Sequence, residues 1–312
     1  MKFLKPSLLA LGIASLLAIA PAYALNTRSY VKSTGLDSNP CTLAAPCRTF
    51  QQAVNSTSPN GEIDVLDTAG YGAFTISNPI VIINQGGLAG VQASSGVGIT
   101  INTTGPVELK GLTIEGTGTG TMGIQYTAAG KLIVRDCVIS GFTTYGIAYQ
   151  PNGPSSILVT NTNIEGVSGP GINVAPTALS STDVVQATLL VVDASFNHIG
   201  IQVLGDGLDP SAFIGVVIQN GTISNSQTGV NVQSSGAITN VFVRNEIVQA
   251  NATGLSLSGT APNGLSLTLG VNTIATNQNP ITVTGGTLQS FNDNYAVDNK
   301  NALPTKNTVT KY

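Results

Sequence analysis

The chain repeats about every 25 residues, and a period of that length fixes what it can fold into. A glycine followed by alternating apolar residues recurs as GITI from Gly98, GIQY from Gly123, GIAY from Gly146, GINV from Gly171, GIQV from Gly200, GVNV from Gly229 and GLSL from Gly254. PITV from Pro280 reads as a further copy. A second motif, VELKG, LIVRD, ILVTN, LLVVD, VVIQN and VFVRN, ends at Gly111, Asp136, Asn161, Asp193, Asn220 and Asn245, and SLTLG ends another copy at Gly270. Three places after the first six endpoints stand Ile114, Ile139, Ile164, Phe196, Ile223 and Val248. One step is longer than the rest and holds an insertion over 176–186.

Each repeat therefore carries two short alternating strands and a third around the isoleucine column, bounded by Gly, Asn, Asp and Pro. A single coil this short cannot bury its own apolar face, whereas stacked coils can. A propeller blade needs roughly 40–45 residues, and the leucine-rich pattern is absent. A parallel β-helix is the architecture that remains.

Alternation assigns the faces. Val107, Leu132, Ile157, Leu189, Val216 and Val241 read as one inward column, and Leu109, Val134, Val159, Val191, Ile218 and Val243 as the next. Cys137 shares a column with Leu112 and Ala194, which gives it a packing role. The Asp and Asn endpoints read as turn residues that tolerate left-handed backbone, structural rather than catalytic.

Composition narrows the function. The chain is 42% hydrophobic and only 9% charged, so it is neither a disordered tail nor a long surface helix. A net charge of −3 gives no electrostatic case for nucleic acid.

Residues 1–24 have the form of a secretory leader: Lys2 and Lys5, then an apolar run, then Ala22-Tyr23-Ala24 as cleavage site after Ala24. An exported chain, periplasmic or extracellular, is expected. No later segment is apolar enough to span a bilayer. In an oxidising compartment Cys41 and Cys47, in CTLAAPC, favour a disulfide over a metal site, because no His or third Cys lies near them. We expect neither a metal nor a cofactor. The division expected is a leader over 1–24, an N-terminal cap over 25–60, the β-helix over 61–290 and a C-terminal cap or tail over 291–312.

The segment Tyr30-Val31-Lys32-Ser33-Thr34-Gly35-Leu36-Asp37-Ser38-Asn39-Pro40-Cys41-Thr42, followed by Ala45-Pro46-Cys47-Arg48-Thr49-Phe50-Gln51-Gln52-Ala53, resembles an entry motif of secreted right-handed parallel β-helix proteins of the pectin-lyase-like superfamily. Cys41 and Cys47 replace the motif's Gly and Phe. Similar bacterial β-helix repeat proteins share the paired cysteines. The resemblance implies an all-β, single-stranded right-handed parallel β-helix, with a short helix over Arg48–Val54 capping the first coil. The i and i+4 spacing of Phe50 and Val54 agrees with that helix independently. The superfamily holds pectate lyases, polygalacturonases and phage tailspikes, so the fold does not fix the chemistry. The polygalacturonase set is missing: Asn161-Thr162 is followed by Asn163, and His198 lies in NHIG. No adjacent coils supply the three carboxylates of a calcium-dependent pectate lyase.

The outward faces offer three candidate surfaces. Thr100, Gln125, Asn173, Gln202 and Asn231, with Ala148, Ser256 and Thr282, form a polar uncharged row able to hydrogen-bond a glycan. Glu115 and Glu165 share an outward column two coils apart, near Lys110 and Arg135, and are the catalytic set to test if the chain is an enzyme. Ile133, Leu158, Leu190, Val217, Phe242 and Leu267 read as an outward apolar stripe covered by the 176–186 insertion, by the 291–312 tail, whose few apolar residues make it a poor sole cover, or by another subunit in self-association. The leading expectation is a non-catalytic structural or glycan-contacting module. The alternative is a polysaccharide lyase or glycoside hydrolase of the same superfamily.

Overall fold

Three strands per repeat become three walls of a prism. The structure is a computed structural model and describes residues 25–304 and the backbone of 307–308. The expected leader and its cleavage site lie outside the described residues. One coil shows the plan: a strand at Lys131–Arg135, a corner at Asp136, a short strand at Val138–Ser140, a second corner at Gly141, and a strand at Tyr145–Tyr149. The first two walls belong to one twenty-stranded sheet bent at the corner, and the glycine-led strands form a nine-stranded sheet. Neighbouring coils pair in parallel, Leu132 on Val107 and Ile157 in one wall and Ile124 on Ile99 and Ile147 in another. The result is a right-handed parallel β-helix, the hand that parallel crossovers adopt.

The glycines that lead the third wall are explained by crowding. A Cβ on Gly123 would sit 2.5 Å from the Gly146 carbonyl oxygen and 2.7 Å from an Ile139 methyl. The isoleucines that follow, from Ile99 to Ile201, are fully buried and fill the core.

Both corners turn on left-handed residues. The first has positive φ at Gly111, Asp136, Asn161, Val191, Asn220, Asn245 and Val271, and the second at Gly141, Gly166, Phe196, Asn225, Ala250 and Thr276. Asn and Asp bear this conformation with little strain, while a β-branched residue does not. Val191 is therefore a surprise, and it corrects the coil through Val184–Ser195. Asp193 pairs with Asn163 and Thr222 on the short strand, so the corner falls two residues earlier than the sequence pattern suggested. The inward columns pass through Ala187 and Leu189 instead of Leu189 and Val191. Ala194 takes the place expected for Phe196, which is exposed, and Thr162 and Val192 stand in the Cys137 column. Cys137 itself is buried, and burial pushes its thiol pKa up to about 11.

The N-terminal end is closed by a helix at Phe50–Ser56, two residues later than expected. Thr49 caps it, accepting from the Gln52 N–H at 3.2 Å. Phe50 seals the first coil against Tyr71 and Phe74, ring centroids 5.2 and 4.9 Å away. Asp37 holds the helix entry, accepting from the N–H groups of Arg48 and Thr49 at 2.9 Å each. Cys41 and Cys47 are joined in a disulfide, with Cα atoms 4.6 Å apart.

Candidate functional site

The outer face of the long-strand wall carries a groove. Thr188, Val217, Phe242 and Thr268 line it, and their column continues through Leu158 to Ile133 on earlier coils. The apolar stripe expected there is thus interrupted twice. Leu190 lies one outward column over, between Thr160 and Gln219. Leu267 is fully buried, in register with Val241. The corner slip accounts for both: a shift of two residues keeps the face, and a shift of one reverses it. The last three residues of the insertion, Val184 to Gln186, are strand within the wall and do not cover the stripe.

Between Gln186 and Phe291 the groove encloses about 510 Å³. The Phe213 ring lies 2.8 Å from where a Cβ on Gly215 would stand, and Phe291 closes one side, its ring 6.1 Å from that of Phe242 at 79°. Gly270 makes room for Phe291, whose ring lies 3.1 Å from where a Cβ would stand. Beside the groove, Gln219, Asn220, Arg244, Asn245 and Val271 line a smaller polar recess of about 370 Å³. Aromatic rings beside amides and a guanidinium suit a ligand with both C–H faces and hydroxyl or anionic groups.

The residues singled out from sequence are placed as follows. Thr100, Gln125, Ala148, Asn173, Gln202 and Asn231 are indeed one row on the nine-stranded sheet. Asn173 is only 1% exposed and Ala148 is buried, so the row is not a continuous exposed face. Glu115, Ser140 and Glu165 share one column, which puts the carboxylates about 10 Å apart by backbone. Lys110 and Arg135 are not directed at them. Lys110 stands 4.0 Å from Asp136, and Arg135 pairs with Glu108 at 3.0 Å. Glu115 accepts from Gln92 at 3.4 Å. The four are therefore split between two walls, and the basic pair is occupied by other acids. Among the described residues no three His, Cys, Asp or Glu side chains gather as a metal-binding group.

Phe291 is easily missed in the sequence, because the tail around it is polar on average. The signal was present: a lone phenylalanine in a polar stretch, 21 residues beyond Gly270 and facing a column that holds Phe242. Gly215, interrupting an apolar strand, was the other clue.

No protein-family model and no curated protein sequence matches the chain. Among solved structures it is similar to the pectate lyase Pel9A, with a TM-score of 0.57 at 14% identity over 93% of this chain and 78% of that one. A rhamnogalacturonan lyase aligns with a TM-score of 0.45 at 14% identity, over 80% of this chain and 74% of that one. The likeness to Pel9A is one of fold, a parallel β-helix, and at that identity it transfers no residue roles.

Proposed function

We propose that the protein is an exported, non-catalytic β-helix that binds a polysaccharide along the outer face of its long-strand wall. The observation that carries this reading is the groove of Gly215, Val217, Phe242 and Phe291, with a separate polar recess around Arg244 on the same wall. Sugar rings stack their C–H faces on aromatic rings, while amides and a guanidinium take hydroxyls and carboxylates. The groove runs along the solenoid axis, the direction in which an extended chain meets the same chemistry coil after coil. A disulfide and a leader-like N-terminal sequence support export.

The second reading is a lyase or hydrolase acting through Glu115 and Glu165, and what favours it is their common outward column. A panel of neutral and acidic polysaccharides separates the two. Binding by calorimetry with no gain of unsaturated or reducing ends is the expected result. Cleavage that Glu115→Gln or Glu165→Gln abolishes would establish the second reading. No binding to any member of the panel would overturn the first.

A further inference from the structure

The corners follow a hydrogen-bonding rule. At six buried or half-buried positions an asparagine Oδ1 accepts the backbone N–H of its counterpart in the preceding coil. Its Nδ2 donates to the carbonyl three residues before that counterpart. Asn272 accepts from Glu246 N–H at 3.0 Å and donates to Val243 at 2.8 Å. Asn294 does the same with Asn272 and Leu269. At the second corner Asn197, Asn251, Asn277 and Asn299 repeat it, Asn277 with Asn251 at 3.0 Å and Val248 at 2.9 Å.

Glu246 occupies one of these positions, directly before Asn272 in the first ladder. It is 1% exposed. Its Oε2 accepts the Gly221 N–H at 2.9 Å, the acceptor half of the rule. Its Oε1 is buried without a partner. The carbonyl that the rule assigns to it is that of Ile218, three residues before Gly221. An ionised carboxylate has no hydrogen to give and would set acceptor against acceptor.

We infer that Glu246 is held as a neutral carboxylic acid whose Oε1–H donates to the Ile218 carbonyl, so that this corner is a pH-sensitive lock between neighbouring coils. Its column neighbours Val192, Gly221 and Asn272 carry no charge. The acid that bears on it is Asp193, two coils before, and Arg244, at the end of the strand that stops two residues earlier, is exposed. Burial is the main force that raises the Glu246 pKa, to about 8, with the Gly221 N–H opposing and Asp193 adding to it.

The sign follows. An unfolded glutamate titrates near ~4.3, so between about pH 4 and pH 8 the folded chain binds the extra proton. The stability from this group is complete below that window, falls across it, and is gone above about pH 8.

Glu246→Gln supplies the donor without a proton. The melting temperature of the wild type should fall by several degrees more between about pH 5 and pH 9 than that of Glu246→Gln. Equal slopes for the two proteins would overturn the inference. Should the variant fail to fold, isotope-edited infrared spectroscopy of Glu-labelled wild type decides. A protonated carboxyl band near neutral pH that disappears on unfolding in urea is expected, and its absence from the folded protein would also overturn the inference.

Discussion

The side-chain amide of Asn161 donates to the Asp136 carboxylate at 2.8 Å across one coil step, and Asn245 repeats the contact on Asn220 at 2.9 Å. These residues occupy the left-handed corner, so their side chains serve the turn and the ladder together. An aspartate that looks available for chemistry is in this way committed to structure, with Lys110 beside it.

The same corner holds a weak point. Val191 has φ +53° and stands 47% exposed. Val191→Asn should stabilise the protein by about 1 kcal/mol, because left-handed backbone costs an ordinary residue about 1–2 kcal/mol. Thermal melting of the two proteins measures it, and a fall in melting temperature would contradict the strain argument.

The buried amides should be costly to remove. Asn251→Leu strips the partners of the Ser226 N–H and the Ile223 carbonyl in the interior. A loss of about 2–4 kcal/mol is expected from two unsatisfied groups. Hydrogen exchange should speed up at Ser226, while coils toward the N-terminus keep their protection, since repeat proteins couple mainly to nearest neighbours.

Thiol chemistry distinguishes the three cysteines. Denatured, unreduced protein should show one free thiol, Cys137. In the folded protein that thiol should resist alkylation even at mildly alkaline pH, because it is buried and its pKa is raised to about 11. Reducing the Cys41–Cys47 bridge should cost about 2 kcal/mol at the entry cap. Three titratable thiols without reductant would remove the bridge.

Groove and carboxylates should separate in binding. Phe242→Ala should weaken polysaccharide affinity by roughly tenfold, about 1.4 kcal/mol. Glu115→Gln should leave binding unchanged, as it lies on the short-strand wall. Equal losses in both variants would move the binding surface off the groove.

The repeat and its glycines were enough to fix a solenoid of short parallel strands, because a coil of this size has no other way to bury its apolar face. Alternation likewise assigned most core positions, and the Phe50 and Val54 spacing announced the cap. The columns of the coil through Val184–Ser195 and of the coil with the corner near Gly270 were not legible. A corner is recognised in sequence by Gly, Asn or Asp, and at Val191 and Val271 the ladder around them holds a valine in that conformation instead. The pattern therefore settled on Asp193, two residues late, and on Gly270, one residue early. The first error exchanged columns on the same face, and the second turned Leu267 from core to surface. Only the stacking of coils could decide these registers, and with them the groove, since Phe291 meets Phe242 through a gap that exists because Gly270 has no side chain.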